Sequence, residues 1–243
     1  MAGHSHSKNI KLRKAAVDSK RSRLFSKLAR LVITAAREGG DVRFNPKLAF
    51  AVAKAKAVSL PRDTIEKAIK KGSGENDGVV FEHLAYEGYA PGGVAVMVDI
   101  LTDNRNRTAG EIRKIFDICG GKLGTPNCVA FHFQRRGQFL LEAEGKSEDA
   151  LMEAAMDAGA DDFRRSGDCF EILCDPAAFM QVQEALAAKG LQPLEANVAQ
   201  LPDNVVKVEG DVAAQVAKLL EKLDEHDDVQ NVFSNAELPE DAA

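Results

Sequence analysis

At Gly72 the hydrophobic period of the chain changes from 3.6 to 2, and that switch limits what it can fold into. Before it, Leu24, Leu28, Leu31 and Ala35 recur at helical spacing until Gly39-Gly40 stops the pattern. Asn45-Pro46 reads as an N-cap followed by proline at the first helical position, with Leu48, Val52 and Ala55 on one face. A third helix starts at Pro61, buries Ile65, Ala68 and Ile69, and ends at Gly72. Three short amphipathic helices predict a small bundle, and Gly72-Ser73-Gly74-Glu75-Asn76-Asp77-Gly78 reads as a linker.

Beyond the linker, residues 80–89 and 93–101 alternate as strands joined by the turn Ala90-Pro91-Gly92-Gly93. Thr108 and Glu111 read as a capping box for a helix to about Cys119, and Cys128–Gln134 as another strand. The stretch from Gln138 to Leu201 then reads β-α-β-β-α-β, the ferredoxin-like order. Val205–Glu209, Asp211–Glu225 and Val229–Ala236 read β-α-β and can complete the unit interrupted at residue 134. The expected fold is therefore α+β: an N-terminal three-helix bundle with a basic arm, plus two ferredoxin-like α/β domains, the second inserted in the first. The corresponding limits are 1–75, 79–135 with 202–238, and 136–201. Three modules in simple succession are the alternative.

An apolar content of 45% excludes wholesale disorder. No apolar run approaches the 18 or so residues that a membrane span needs, and the basic N-terminus has no apolar segment of the secretory kind. Four cysteines are too few for a disulfide scaffold of this size. Cysteines 169 and 174, five positions apart on one predicted strand, fall on opposite faces and suit a core better than zinc. These features predict a cytoplasmic protein with no membrane partner.

Charge is distributed unevenly. The net charge of −5 hides 18 Lys and Arg against 6 Asp and Glu in residues 1–75, a net of +12. The remainder holds 14 against 31, a net of −17. Such asymmetry points to a polyanion partner for the basic part. Lys8, Lys11, Arg13, Lys14, Lys20, Arg21, Arg23, Lys27 and Arg30 are opposed by one acid, Asp18, and His4 lies just before them. Phosphate neutralisation needs no particular spacing, so this pattern specifies a polyanion without specifying which.

A second candidate is Thr102-Asp103-Asn104-Arg105-Asn106-Arg107-Thr108, just ahead of a predicted helix. Arg105 and Arg107 there oppose the positive end of the helix dipole. An anion docked between them would account for the placement, as would internal pairing with Asp103 or Glu111. A third candidate is Tyr86-Glu87-Gly88-Tyr89-Ala90-Pro91-Gly92-Gly93, which holds both tyrosines of the chain. Tyr86 and Tyr89 are a possible stacking surface for bases, or simply part of a glycine-rich hairpin. No nucleotide-binding loop, nucleophile elbow or zinc-protease motif is present, and the five histidines do not cluster in the sequence. The expectation is a non-enzyme with no cofactor and no metal.

Longer motifs then carry a resemblance. Met1-Ala2-Gly3-His4-Ser5, Asn9-Ile10-Lys11, Arg13-Lys14-Ala15-Ala16, Pro61 to Ile69, Tyr86-Glu87-Gly88-Tyr89, Pro91 to Ala95 and Leu101 to Thr108 resemble the YebC/PmpR family along essentially the whole chain. The resemblance implies a helical N-terminal domain and two ferredoxin-like domains. It also implies one of two roles: a DNA-binding transcriptional regulator of the bacterial cytoplasm, or a ribosome-associated translation factor acting on ribosomal or transfer RNA. The second role follows family members linked to the mitochondrial translational activator of cytochrome c oxidase and to relief of stalling at proline runs. Ser5-His6-Ser7 departs from the Ser-Lys-Trp common at that place in the family. Oligomeric state is not legible in the sequence.

Overall fold

The computed structural model describes residues 22–74, 80–143, 145 and 147–239. The basic arm and the centre of the linker lie outside the described residues. Helix α1 covers residues 22–36, α2 Pro46–Ala57 and α3 Arg62–Ser73. Their apolar stripes meet in one cluster built on Leu28, Val32, Leu48, Val52, Ile65 and Ala68. Asn45 performs two tasks here. Its Oδ1 accepts from the Leu48 amide at 3.0 Å, capping α2, while its Nδ2 donates to the Ala35 and Gly39 carbonyls at 2.8 Å each. The buried amide thus ties the end of α1 to the start of α2.

Gly72 is where α3 crosses α1 most closely. A Cβ there would stand 2.2 Å from the Ile33 carbonyl oxygen and 2.7 Å from the Ala36 Cβ. Gly72→Ala is expected to destabilise the chain by about 1–3 kcal/mol, the cost of overpacking a contact that backbone cannot relieve. Chemical denaturation is the check; an unchanged midpoint would show that α3 does not approach α1 this closely.

The first sheet contains β1 (Glu82–Ala90), β2 (Val94–Thr102), β3 (Lys122–Leu123) and β9 (Val229–Ser234), in the order β3-β1-β2-β9. Strands β1 and β2 form a hairpin with Ala90 opposite Val94. Its turn needs Gly92 and Gly93, at φ of 78° and 76°. The helices α4 (Arg105–Ile118) and α7 (Gly210–Asp224) belong to this layer. Their Ile112, Phe116, Val216 and Leu219 pack on Val94, Val96, Val98 and Ile100 of β2. The opposite face of β2 is covered as well: Ala95 and Met97 meet Val129 and Phe133. A strand buried on both faces reads as a continuous apolar run, as β2 does.

The second sheet contains β4 (Phe133–Glu142), β5 (Asp162–Ser166), β6 (Cys169–Cys174) and β7 (Glu195–Pro202). Its order, β5-β6-β4-β7, with every neighbour antiparallel, is the ferredoxin-like arrangement. Helices α5 (Glu148–Asp157) and α6 (Phe179–Ala188) supply Ala155, Val182 and Leu186 against Phe139, Leu141 and Ile172. Phe50 of α2 meets the Phe179 ring edge-on at 5.6 Å, so the helical bundle touches this layer too. The protein is α+β, with the second sheet formed between the parts of the chain that build the first. Cys119, Cys169 and Cys174 are buried, as expected of core residues, and Cys128 is half-buried.

Two local expectations are corrected. Cys128–Gln134 is not a strand: residues 124–132 form a loop ending in a short 3-10 turn, Ala130–His132, and β4 then runs unbroken from Phe133. The carboxylate of Glu87 causes this, because it accepts from three backbone amides that a ladder would otherwise use (Asn127, Val129 and Ala130, at 2.9, 2.8 and 3.0 Å). The stretch 205–209 does not join the first sheet either. Within it, β8 (Val206–Lys207) pairs in parallel with β10 (Ala236–Glu237).

Candidate nucleic-acid interface

Seven of the candidate residues, His4, Lys8, Lys11, Arg13, Lys14, Lys20 and Arg21, lie outside the described residues. The other three cations of the basic cluster, Arg23, Lys27 and Arg30, form one stripe along α1 at spacings of four and three. All three are paired within the chain, so a phosphate at this stripe would have to compete with those partners. Arg23 reaches Glu225 at 2.9 Å. Lys27, only 7% exposed, donates to the carbonyl of Asp224 and lies 3.7 Å from its carboxylate. Arg30 donates to the Asp227 carbonyl and to Asp228 Oδ1, both at 2.7 Å.

The physical reason lies in α7. Its C-terminal end carries unsatisfied carbonyls and the negative end of the helix dipole, and residues 224–228 add four acids. A cationic stripe on a neighbouring helix is the natural partner for such an end. The α1 cations thereby dock the helical bundle on the first sheet layer.

Asp228 is the centre of this junction. It is 3% exposed, and its Oδ2 accepts from Arg107 at 2.8 Å, Thr108 at 2.7 Å and Thr102 at 3.1 Å, while Oδ1 takes Arg30. Burial alone would raise its pKa. The hydrogen bonds from Arg107, Thr108 and Thr102, with the charge of Arg30, outweigh burial and hold the carboxyl below its ordinary value. Arg107 also reaches Asp103 at 2.9 Å. The bond to Asp228, foremost, and that to Asp103 raise its pKa. Of the alternatives for this motif, Arg107 follows internal pairing, with Asp103 as foreseen and with Asp228, which no local pattern indicated. Arg105 is exposed, and its guanidinium has no hydrogen bond or ion pair among the described residues.

The cap of α4 is also corrected. Asn104 is the N-cap, accepting from the Arg107 amide at 3.1 Å. Thr108 is fully buried one turn inside the helix, where its hydroxyl serves Asp228. Beside this network a cleft of about 730 Å³ opens between α1, α4 and the 225–228 segment, with Phe81 and Ile115 as its apolar wall and Lys114 on its rim.

Glu111, His226 and Asp228 bring three potential metal donors within 4.8 Å of one another. Their hydrogen bonding does not suit a metal. His226 Nδ1 accepts from the Asp228 amide at 3.1 Å, which places the proton on Nε2, where it faces Glu111 at 3.0 Å. The Asp228 carboxylate is already shared by two arginines.

Tyr86 and Tyr89 do not form a stacking surface together. Three positions apart on β1, they point to opposite faces of the sheet. Tyr86 packs on the α4 and α7 side, its hydroxyl 3.4 Å from the Arg105 carbonyl. Tyr89 packs on the other side with Ala95 and Met97, and its hydroxyl donates to the Cys128 carbonyl at 2.9 Å. Between them Glu87, 7% exposed, pins the 127–130 backbone. The sequence did not single out Glu87. An acid flanked by glycine and aromatics on a strand was the available signal, since a buried carboxylate must find donors.

Comparison with known proteins joins these features. Residues 5–75 match the TACO1/YebC protein N-terminal domain, and residues 81–236 match the TACO1/YebC second and third domain. The chain belongs to the TACO1/YebC family. A relative in Magnetococcus marinus, named "probable transcriptional regulatory protein", is 48% identical over 243 residues, covering 99% of this chain and 97% of its own. One of the same designation in Clostridium novyi is 49% identical, with 99% of each covered. In structure, a conserved hypothetical protein from Aquifex aeolicus superposes with a TM-score of 0.84 at 44% identity, over 93% of both chains. Regulatory names thus attach to TACO1/YebC relatives along their full length. Among the described residues no helix is long and apolar enough to cross a membrane.

Proposed function

We propose that the protein is a non-enzymatic, cytoplasmic, nucleic-acid-binding regulator of gene expression, acting as a DNA-binding transcriptional regulator. The observation that carries this reading is the charge division: net +12 on residues 1–75 beside net −17 on the rest. The names of its relatives support the regulatory part. The pairing of Arg23, Lys27 and Arg30 with residues 224–228 moves the grip toward the arm. In this reading His4, Lys8, Lys11, Arg13, Lys14, Lys20 and Arg21 contact phosphates, and Arg105 is a second anchor on the body. The acidic body, taken as residues 79–135 with 202–238 and the inserted 136–201, limits unselective adhesion.

A second reading, a ribosome-associated translation factor that relieves stalling, is favoured by one observation. The basic face of α1 is occupied by its own chain, so that helix is not presented for reading bases in a major groove. Phosphate contacts from an arm suit a folded RNA surface equally well. Duplex shift assays beside co-sedimentation with ribosomes at the same salt separate the two. Preference for one promoter sequence over unrelated duplex supports the transcriptional role. Ribosome binding with no sequence preference on duplex would replace it with the translational one.

A further inference from the structure

The Tyr86-Glu87-Gly88-Tyr89 motif has a product, the loop 124–132, and that loop displays one aromatic ring to solvent. Phe131 is 69% exposed. Everything beneath it is fixed. The Glu87 carboxylate holds three amides of the loop, and its carbonyl accepts from the Gly124 amide at 2.8 Å. The Tyr89 hydroxyl holds the Cys128 carbonyl. Val129 and Phe133, on either side of the displayed residue, are buried against Ala95 and Met97. The His132 carbonyl accepts from the Asp203 amide at 2.9 Å, and its ring lies 4.1 Å from that of Phe131. A buried carboxylate and a half-buried tyrosine therefore hold in place a loop whose tip is an apolar ring in water.

We infer that Phe131 is a stacking platform for an unpaired base of a single-stranded nucleic acid, and this rests on the nucleic-acid reading above. The surroundings favour a base over an apolar protein surface. Its chain neighbours are half-exposed Ala130 and His132, and Gln134 and Arg135 just beyond are exposed. Lys122 and Arg135 are both exposed. Lys122 is opposite Tyr89 in the ladder and so shares its face. Neither side chain has a hydrogen bond or ion pair among the described residues. An exposed aromatic ring on a fixed loop, with an unpaired lysine on the sheet face that the loop packs against, is the kind of surface that binds single strands with little sequence preference. A duplex, with its bases already stacked, offers such a ring nothing beyond its phosphates.

The chain contains no tryptophan, so Phe131→Trp places a single fluorescent indole at the platform in the full-length protein. The probe is a labelled single strand of roughly 12 nucleotides, with its duplex form and inorganic polyphosphate as controls. Anisotropy of the label reports binding, and indole emission reports stacking. Expected is quenching that saturates at the binding midpoint of the single strand, with none from duplex or polyphosphate bound to the same extent. Phe131→Ala is expected to weaken single-strand binding about 5- to 100-fold while changing duplex binding less than twofold. Binding of the strand with unchanged emission overturns the stacking inference and leaves the nucleic-acid reading standing. So does quenching that rises with protein concentration alone, which would mean that a second copy covers the ring. Failure of strand, duplex and ribosomes alike to bind the wild-type chain overturns both.

Discussion

Replacing Asp228 by alanine is expected to lower stability by about 2–4 kcal/mol, because the buried Thr102 and Thr108 hydroxyls lose a charged acceptor and the partly exposed Arg30 and Arg107 lose their ion pair. For a chain of this length that corresponds to a fall in Tm on the order of 10 °C. The expectation rests on what the carboxylate holds together. Thr102 ends β2, Thr108 and Arg107 stand in the first turns of α4, and Arg30 belongs to the helical bundle. Removing one side chain leaves two hydroxyls and two guanidinium groups short of an acceptor, and it loosens the bundle from the first sheet. A double-mutant cycle with Arg30→Ala separates that docking from the rest, since residues in direct contact give non-additive losses. A Tm within about 2 °C of wild type would mean that the junction contributes little.

The same residue sets a pH dependence. Its folded-state pKa is depressed below the ordinary 3.8, against burial, by Arg107, Thr108, Thr102 and Arg30. A depressed carboxyl contributes stability that is fully present above the unfolded value and is lost as pH falls through the folded one. Stability should therefore drop below about pH 4. Asp228→Asn, which cannot titrate, should start lower at pH 7 and show a shallower decline. Parallel wild-type and variant curves from pH 7 to 3 would contradict this assignment.

Deleting residues 1–21 is expected to have the largest effect on binding. The arm holds six Lys and Arg against one acid. If each cation neutralises one phosphate, the magnitude of the salt slope on duplex falls by about 5. Affinity at moderate salt then drops by about 10³-fold or more. Mutating the α1 stripe at Arg23 and Lys27 should instead act mainly on stability, because both are engaged by Glu225 and Asp224. An unchanged slope after deletion, with a slope lost on mutating α1, would reverse the roles assigned to arm and helix.

The division between helical bundle and sheets was legible in the sequence because it depends on period, and period follows from local geometry. The ferredoxin-like order of β4 to β7 and the Asn45 cap were legible for the same reason: each needs only neighbouring residues. The family was legible from long motifs. What sequence could not supply was the partner of each charge. Arg30 and Asp228 are 198 positions apart, and Arg107 and Asp228 are 121. No spacing rule reaches across such a separation, so a stripe paired by its own fold reads the same as a stripe awaiting phosphate. Tyr86 and Tyr89 misled in a related way, since adjacency in sequence concealed opposite faces of a strand. Cys128–Gln134 has strand propensity, and only the buried Glu87 carboxylate, 40 and more positions away, turned it into a loop. Composition and period by themselves determined the switch from helices to sheets and a basic end. Long-range pairing, which alone can satisfy buried charge, decided which cations are paired within the fold and that the Phe131 loop holds its ring toward water.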